Sequence, residues 1–216
     1  GLPPGKLVVV PNGLDARFRP VREARELRGV CARYGITPPF VLFVGRLGDP
    51  RKNVRMLTDC FLAPDAGMPP GCQLVLAGNP NGPSAAKLIA DARAHGGGRV
   101  VVTGFVADDD LPALLSAATL LVFPSMFEGF GLPALEAMAC GTPVVAANAT
   151  SLPGVAGPAA RYFDPADPAS LRAALRDVLS DAGLRRQMSD LGRERAAAYT
   201  WERCAQQTEA VYAAAF

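Results

Sequence analysis

Two carboxylates, Glu128 and Glu136, flank a turn containing Gly129 and Gly131 in the stretch EGFGLPALE. A second cluster, GRLGDPRKN, follows an apolar run and carries Arg46 and, beyond a Gly-Asp-Pro turn, Lys52. The two sets can do complementary chemistry. Fixed cations and the free N–H groups ahead of a helix attract anions, phosphate above all. Carboxylates repel phosphate and instead accept hydrogen bonds from hydroxyls, two at once from a diol. A ligand with a diol on each side of a phosphate bridge satisfies both clusters, and a nucleotide sugar is such a ligand.

Each group also fits a plainer role. Glu136, near the start of a helix, suits a dipole partner, and basic residues in turns are commonly solvated. Gly129 to Ala134 matches the G-x-G-x-x-A pattern of dinucleotide binding. Against that pattern, the glycines follow LLVF only after PSMFE, and the next strand ends at Ala147-Asn148 without an acid for a ribose. Asp108-Asp109-Asp110 has a D-x-D spelling that a metal could use, yet it precedes LPALLSAA and reads as an N-cap with first-turn acids. His95-Gly-Gly-Gly98 looks like an esterase oxyanion loop, but no G-x-S-x-G elbow exists, and a glycine-rich helix end is the expectation.

The elements that must hold these residues read as alternating β and α. FVLFV (40–44), QLVLA (73–77), RVVVT (99–103), LLVF (120–123) and PVVA (143–146) are continuously apolar, as strands covered on both faces are. Helical patterns fall near 54–62, 84–94, 110–118, 132–140, 169–180, 182–198 and 201–215. This alternation predicts an α/β fold with a Rossmann-like, doubly wound parallel sheet, whose ligand crevice lies at the carboxyl ends of the strands. Gly45, Gly78 and Gly104 stand at three of those ends. Pro133 fits the first turn of the helix after EGFG, and Gly141 and Pro143 stop it.

With 216 residues, half of them hydrophobic, the chain can bury one large core. The 22 basic and 20 acidic residues are interspersed and the net charge is +2, so no basic stripe points to nucleic acid. No apolar run reaches the ~18 residues of a bilayer span, and no signal peptide opens the sequence. Five dispersed cysteines without a C-x-x-C pair, and a single histidine, read as reduced residues of a cytoplasmic protein with no metal set.

PNGLD and FRP (within 11–20), VGRLGDPRKN (44–53), LAG (76–78), VTGFVADDDLPALLSAA (102–118), VFPSMFEGFGLPALEAMACGTPVVA (122–146), SLPGVAG (151–157) and TWERCA (200–205) resemble, in order, the carboxyl-terminal half of retaining GT-B glycosyltransferases of group 1. The resemblance implies one nucleotide-sugar-binding domain over 1–216. Residues 1–20 would lead in from an absent N-terminal acceptor domain, and a helix over 200–216 would return toward it. Carried over by position, Arg46 and Lys52, with Gly45 beside them, hold the diphosphate. The backbone N–H groups of Phe130, Gly131 and Leu132, after Gly129, complete the anion site. Glu136 takes the ribose diol, Glu128 orients hydroxyls of the donor sugar, and the backbone of Gly104, Phe105 and Val106 lies against the base.

Glu128, Arg46 and Lys52 are then the catalytic set. Fixed cations and a helix N-terminus stabilise the leaving nucleoside diphosphate in place of a metal. The implied donor is GDP-mannose or a UDP-hexose, itself a substrate, so no cofactor is expected. The implied acceptor is a glycan, glycolipid or small molecule. Alone, the chain is expected to be inactive in transfer and to self-associate through apolar surface left by the missing domain. Peripheral membrane contact of the longer protein stays open, as do a non-catalytic nucleotide-sugar-binding module and an NAD-dependent oxidoreductase. The loop SLPGVAGPAA carries Gly154 and Pro158 where relatives often have acids, which bears on the local helix cap and on donor-sugar preference.

Overall fold

The computed structural model describes residues 6–215, so the expected lead-in before Lys6 lies outside it. Runs with no polar face must be covered on both sides, and the sheet is built from them. Strands β1 (Phe40–Val44), β2 (Gln73–Ala77), β3 (Val100–Gly104), β4 (Leu120–Phe123), β5 (Val144–Ala147) and β6 (Ala160–Phe163) form one all-parallel sheet in the order β3-β2-β1-β4-β5-β6. The expected doubly wound sheet is therefore present. Its order reverses between β1 and β4, which are hydrogen-bonded neighbours with connections leaving in opposite directions.

The helices are α1 (Ala24–Arg33), α2 (Val54–Leu62), α3 (Pro83–Gly96), α4 (Leu111–Ala117), α5 (Leu132–Ala139), α6 (Leu152–Ala156), α7 (Pro168–Ser180), α8 (Ala182–Ala197) and α9 (Trp201–Ala215). Helix α2 packs with α3 and α7, while α4 packs with α1 and α5, and α5 with α8. Between these layers Phe40, Phe43, Phe61 and Phe123 are wholly buried with the strand leucines. Each such side chain contributes about 1.5–3 kcal/mol through burial. The carboxyl ends of β1, β2 and β3 are drawn into a row: Gly45 N–H donates to Ala77 O (2.9 Å) and Gly78 N–H to Gly104 O (2.8 Å). A Cβ on Gly78 would lie 1.8 Å from the Gly45 carbonyl oxygen, so only glycine permits that approach.

Several local expectations shift. Strands β3 and β5 each run one residue later than expected, because Arg99 N–H closes a turn on Gly96 O (2.9 Å) and Pro143 has no N–H for the ladder. Helix α1 was not expected, since only Val30 and Cys31 of its ten residues are buried. SLPGVAGPAA is not a loop. It forms α6 and a 3-10 turn, Gly157–Ala159, because Leu152, Val155, Ala156 and Ala159 are buried. Asp110 occupies the N-cap position of α4 without capping it; its carboxylate instead takes Tyr34 Oη (2.8 Å) and the Arg33 guanidinium, a charged partner outcompeting a backbone N–H. The lead-in docks on the start of the last helix, where Leu14 bridges Thr200 and Leu14 N–H donates to Tyr199 O (3.0 Å).

Candidate functional site

Because β1 and β4 are neighbours, the loops that leave them share one crevice. Lys52 closes a 3-10 turn, Pro50–Lys52, after β1, and Glu128 lies in the loop after β4. Lys52 Nζ and Glu128 Oε1 are 2.6 Å apart, with side chains only 19% and 13% exposed. A pair this sheltered is weakly screened, and removal of either partner strands the other charge away from water. Lys52 Nζ also stands 5.6 Å from the centroid of the Phe123 ring at the end of β4.

The turn that aims Lys52 is set by Asp49. Its carboxylate accepts from Arg51 N–H (3.0 Å), Nε (3.1 Å) and Nη2 (2.8 Å), and the guanidinium holds its pKa down at about 2. Arg51 in turn offers its carbonyl to Met126 N–H (2.8 Å), tying the two loops together. Arg46, just past β1, is exposed and joins none of the ion pairs among the described residues. An exposed cation of that kind is open to an anionic ligand.

From the other side the Glu128 loop is held by the residues after β5. Glu128 N–H donates to Thr150 Oγ1 (3.0 Å), and Ser151 Oγ lies 3.1 Å from Glu128 O and 2.8 Å from Phe130 O. Asp49, Arg51, Thr150 and Ser151 were all missed in the sequence; the adjacency of β5 to β4 in the sheet brings the last two to this loop. Gly131 is the N-cap of α5 at φ +111°, and a Cβ there would lie 2.7 Å from Leu152 Cδ2. Ala134 N–H bonds back to Gly131 O (3.0 Å), leaving the amides of Phe130, Gly131 and Leu132 ahead of the helix.

Glu136 lies beyond the first turn of α5, which contains no acid. Burial pushes its pKa up to about 7; Arg17 acts downward, Asp108 and Asp15 upward. A dipole partner would be shifted the other way. The charges acting on Glu136 thus belong to the lead-in segment, Asp15 and Arg17, and to the turn after β3, Asp108. There Gly104 ends β3, Phe105 is exposed and Val106 is buried. Two strand spacings, roughly 10 Å, separate β3 from β1, within the length of a nucleotide. Gly129 is exposed in the loop between the two glutamates.

The three consecutive aspartates are divided among partners. Asp108 lies 3.7 Å from Arg17 Nη1, and Asp110 is held by Arg33 and Tyr34. Among the described residues no group of three or more His, Cys, Asp or Glu side chains converges as a metal-ligand set. Cys31, Cys60, Cys72 and Cys140 are buried free thiols, with Cys204 partly so.

A six-stranded parallel sheet flanked by helices matches the GT-B glycosyltransferase structures. One of these, Anabaena HepE solved with UDP and glucose, superposes with a TM-score of 0.84 at 24% identity, over 96% of this chain and 57% of that one. The family model described as glycosyl transferases group 1 matches residues 33–195, and the chain belongs to that family. The O-antigen chain mannosyltransferase B of Escherichia coli is 33% identical over 97% of this chain and 55% of its own length. The MMP alpha-(1->4)-mannosyltransferase of Mycolicibacterium hassiacum is 38% identical over 97% of this chain and 48% of its own. The chain thus spans about half the length of these curated relatives. Among the described residues no helix is long and apolar enough to cross a membrane.

Proposed function

We propose that this chain is the donor-binding domain of a retaining, metal-independent hexosyltransferase. It binds a nucleoside-diphosphate hexose, GDP-mannose or a UDP-hexose, for transfer to a glycan, glycolipid or small acceptor held by a second domain. The observation that carries this reading is the sheltered Lys52–Glu128 pair at the point where the strand order reverses. An ammonium group has three donors, so Lys52 can keep Glu128 on one and offer the others to a phosphate oxygen. Glu128 is thereby held where the sugar next to that phosphate would sit. Exposed Arg46 and the amides ahead of α5 supply the rest of the anion site, and these fixed charges stabilise the leaving diphosphate without a metal. Glu136, whose charge environment includes Asp108 of the turn after β3, takes the ribose.

The mannosyltransferase relatives support hexose as the transferred group, and the neighbour solved with UDP and glucose supports a nucleoside diphosphate as the carrier. On this reading the chain by itself performs no transfer, and exposed Leu7, Val8, Val9, Trp201 and Tyr212 favour its self-association. A thermal-shift screen with GDP, UDP, ADP and NAD tests the reading. A nucleoside diphosphate present at a hundredfold excess over its Kd should stabilise the chain by about 2.7 kcal/mol, with NAD inert. Stabilisation by NAD alone would replace this reading with an oxidoreductase.

A further inference from the structure

Thr150 and Ser151 each forgo a locally favourable arrangement. Thr150 is a β-branched residue held at φ +48°, one of two positive-φ non-glycine residues among those described. That conformation is an outlier for a side chain of its shape and persists only where the surroundings enforce it. Ser151 stands at the N-cap position of α6, where a serine hydroxyl ordinarily accepts from the helix's own N–H groups, yet it makes no such bond. Both hydroxyls turn instead to the loop after β4. Thr150 Oγ1 accepts from Glu128 N–H at 3.0 Å, and Ser151 Oγ donates between Glu128 O at 3.1 Å and Phe130 O at 2.8 Å. The two carbonyls bracket Gly129, which has no Cβ to restrict its backbone.

We propose that Thr150 and Ser151 are positioning residues for the donor site. They clamp the backbone on both sides of Gly129, so that Glu128 stays on Lys52 and the amides of Phe130 to Leu132 keep a fixed direction toward the diphosphate. The assignment rests on the donor-binding reading above. Its own content is that the strain at Thr150 and the diverted cap of Ser151 serve the site and not the stability of the fold.

Two disruptive variants, Thr150→Gly and Ser151→Ala, and one restoring variant separate these roles. Thr150→Gly relieves the positive φ but deletes the acceptor of Glu128 N–H. Its melting temperature should stay level or rise, while affinity for GDP or UDP, whichever the wild type binds, falls roughly fivefold, the effect of one lost hydrogen bond. Ser151→Ala should weaken the same nucleotide by about tenfold, and Ser151→Thr, which keeps the hydroxyl, should restore it. In the ligand-free chain, hydrogen exchange at the Glu128 amide should accelerate in Thr150→Gly by a similar factor. Unchanged nucleotide affinity in both variants, or a loss that only tracks a lowered melting temperature, overturns the assignment. Unchanged exchange at Glu128 does so without any ligand. Failure of the wild-type chain to bind either nucleotide overturns the donor reading and this assignment with it.

Discussion

Glu136→Gln should make the protein more stable and its site weaker, with the stability gain depending on pH. The carboxyl ordinarily titrates near 4.5, and burial raises it to about 7 in the fold. Between those values the folded chain keeps a proton that the unfolded chain has lost. Stability contributed by the protonated group is therefore complete below pH 4.5 and is lost as pH rises through about 7. The whole shift corresponds to about 3 kcal/mol. The side chain keeps partial contact with water, so about 1–3 kcal/mol is the expected range. Glutamine does not titrate. The variant should melt roughly 2–10 °C above wild type at pH 8 and close to it at pH 4.5.

The same change removes the anionic acceptor for a ribose diol. Charge-assisted hydrogen bonds contribute about 1.5–3 kcal/mol each, so nucleoside diphosphate affinity at pH 8 should fall tenfold or more. Wild-type affinity should itself weaken as pH drops below about 7, because the carboxylate must be ionised to accept both hydroxyls. Melting curves and calorimetric titrations at pH 5, 6.5 and 8 read both effects. A variant that is less stable than wild type at pH 8 and binds unchanged would refute the reasoning and return Glu136 to the helix-dipole role.

Glu128→Gln should tighten binding of the bare nucleoside diphosphate by roughly fivefold at low salt, because it removes a negative charge 2.6 Å from Lys52. From sequence alone, with Glu128 assigned to the sugar and Lys52 to phosphate, no change is expected; an affinity ratio near one would favour that separation. Chelation with EDTA should leave nucleotide affinity within about twofold, since the anion site is built from fixed cations and amides; a large loss restored by Mn²⁺ would point back to the aspartates. Gly78→Ala should cost more than about 4 kcal/mol, seen as a loss of folded protein, because the added Cβ falls 1.8 Å from Gly45 O.

Strands β1, β2 and β4 agree with their sequence runs residue for residue because each is a continuous apolar segment with a glycine, a proline or a polar residue at its ends. Edge strand β6 has no such run, since Arg161 is exposed and only Phe163 is buried. Helix α1 lacks a wide apolar stripe for the same reason: its packing needs little more than Val30 and Cys31. In the candidate site, Arg46, Lys52, Glu128 and Glu136 were singled out as charges on or just beyond glycine-rich turns at strand ends. The contact between Lys52 and Glu128 was not legible, because residues 76 positions apart meet only through the adjacency of β1 and β4. Thr150 was hidden by its own type. A threonine gives no hint of left-handed backbone, so its bond to Glu128 could be found only in three dimensions.

Donor binding is tested most directly by calorimetric titration of this chain with GDP and UDP, wild type beside Arg46→Ala. Arg46 is exposed and unpaired among the described residues, so its removal should leave the melting temperature within a degree or so. A saturable one-to-one isotherm for one of the two nucleotides, weakened about tenfold or more by Arg46→Ala, is the predicted result. An isotherm that the substitution leaves unchanged, or the absence of binding by a folded wild-type chain, would contradict it.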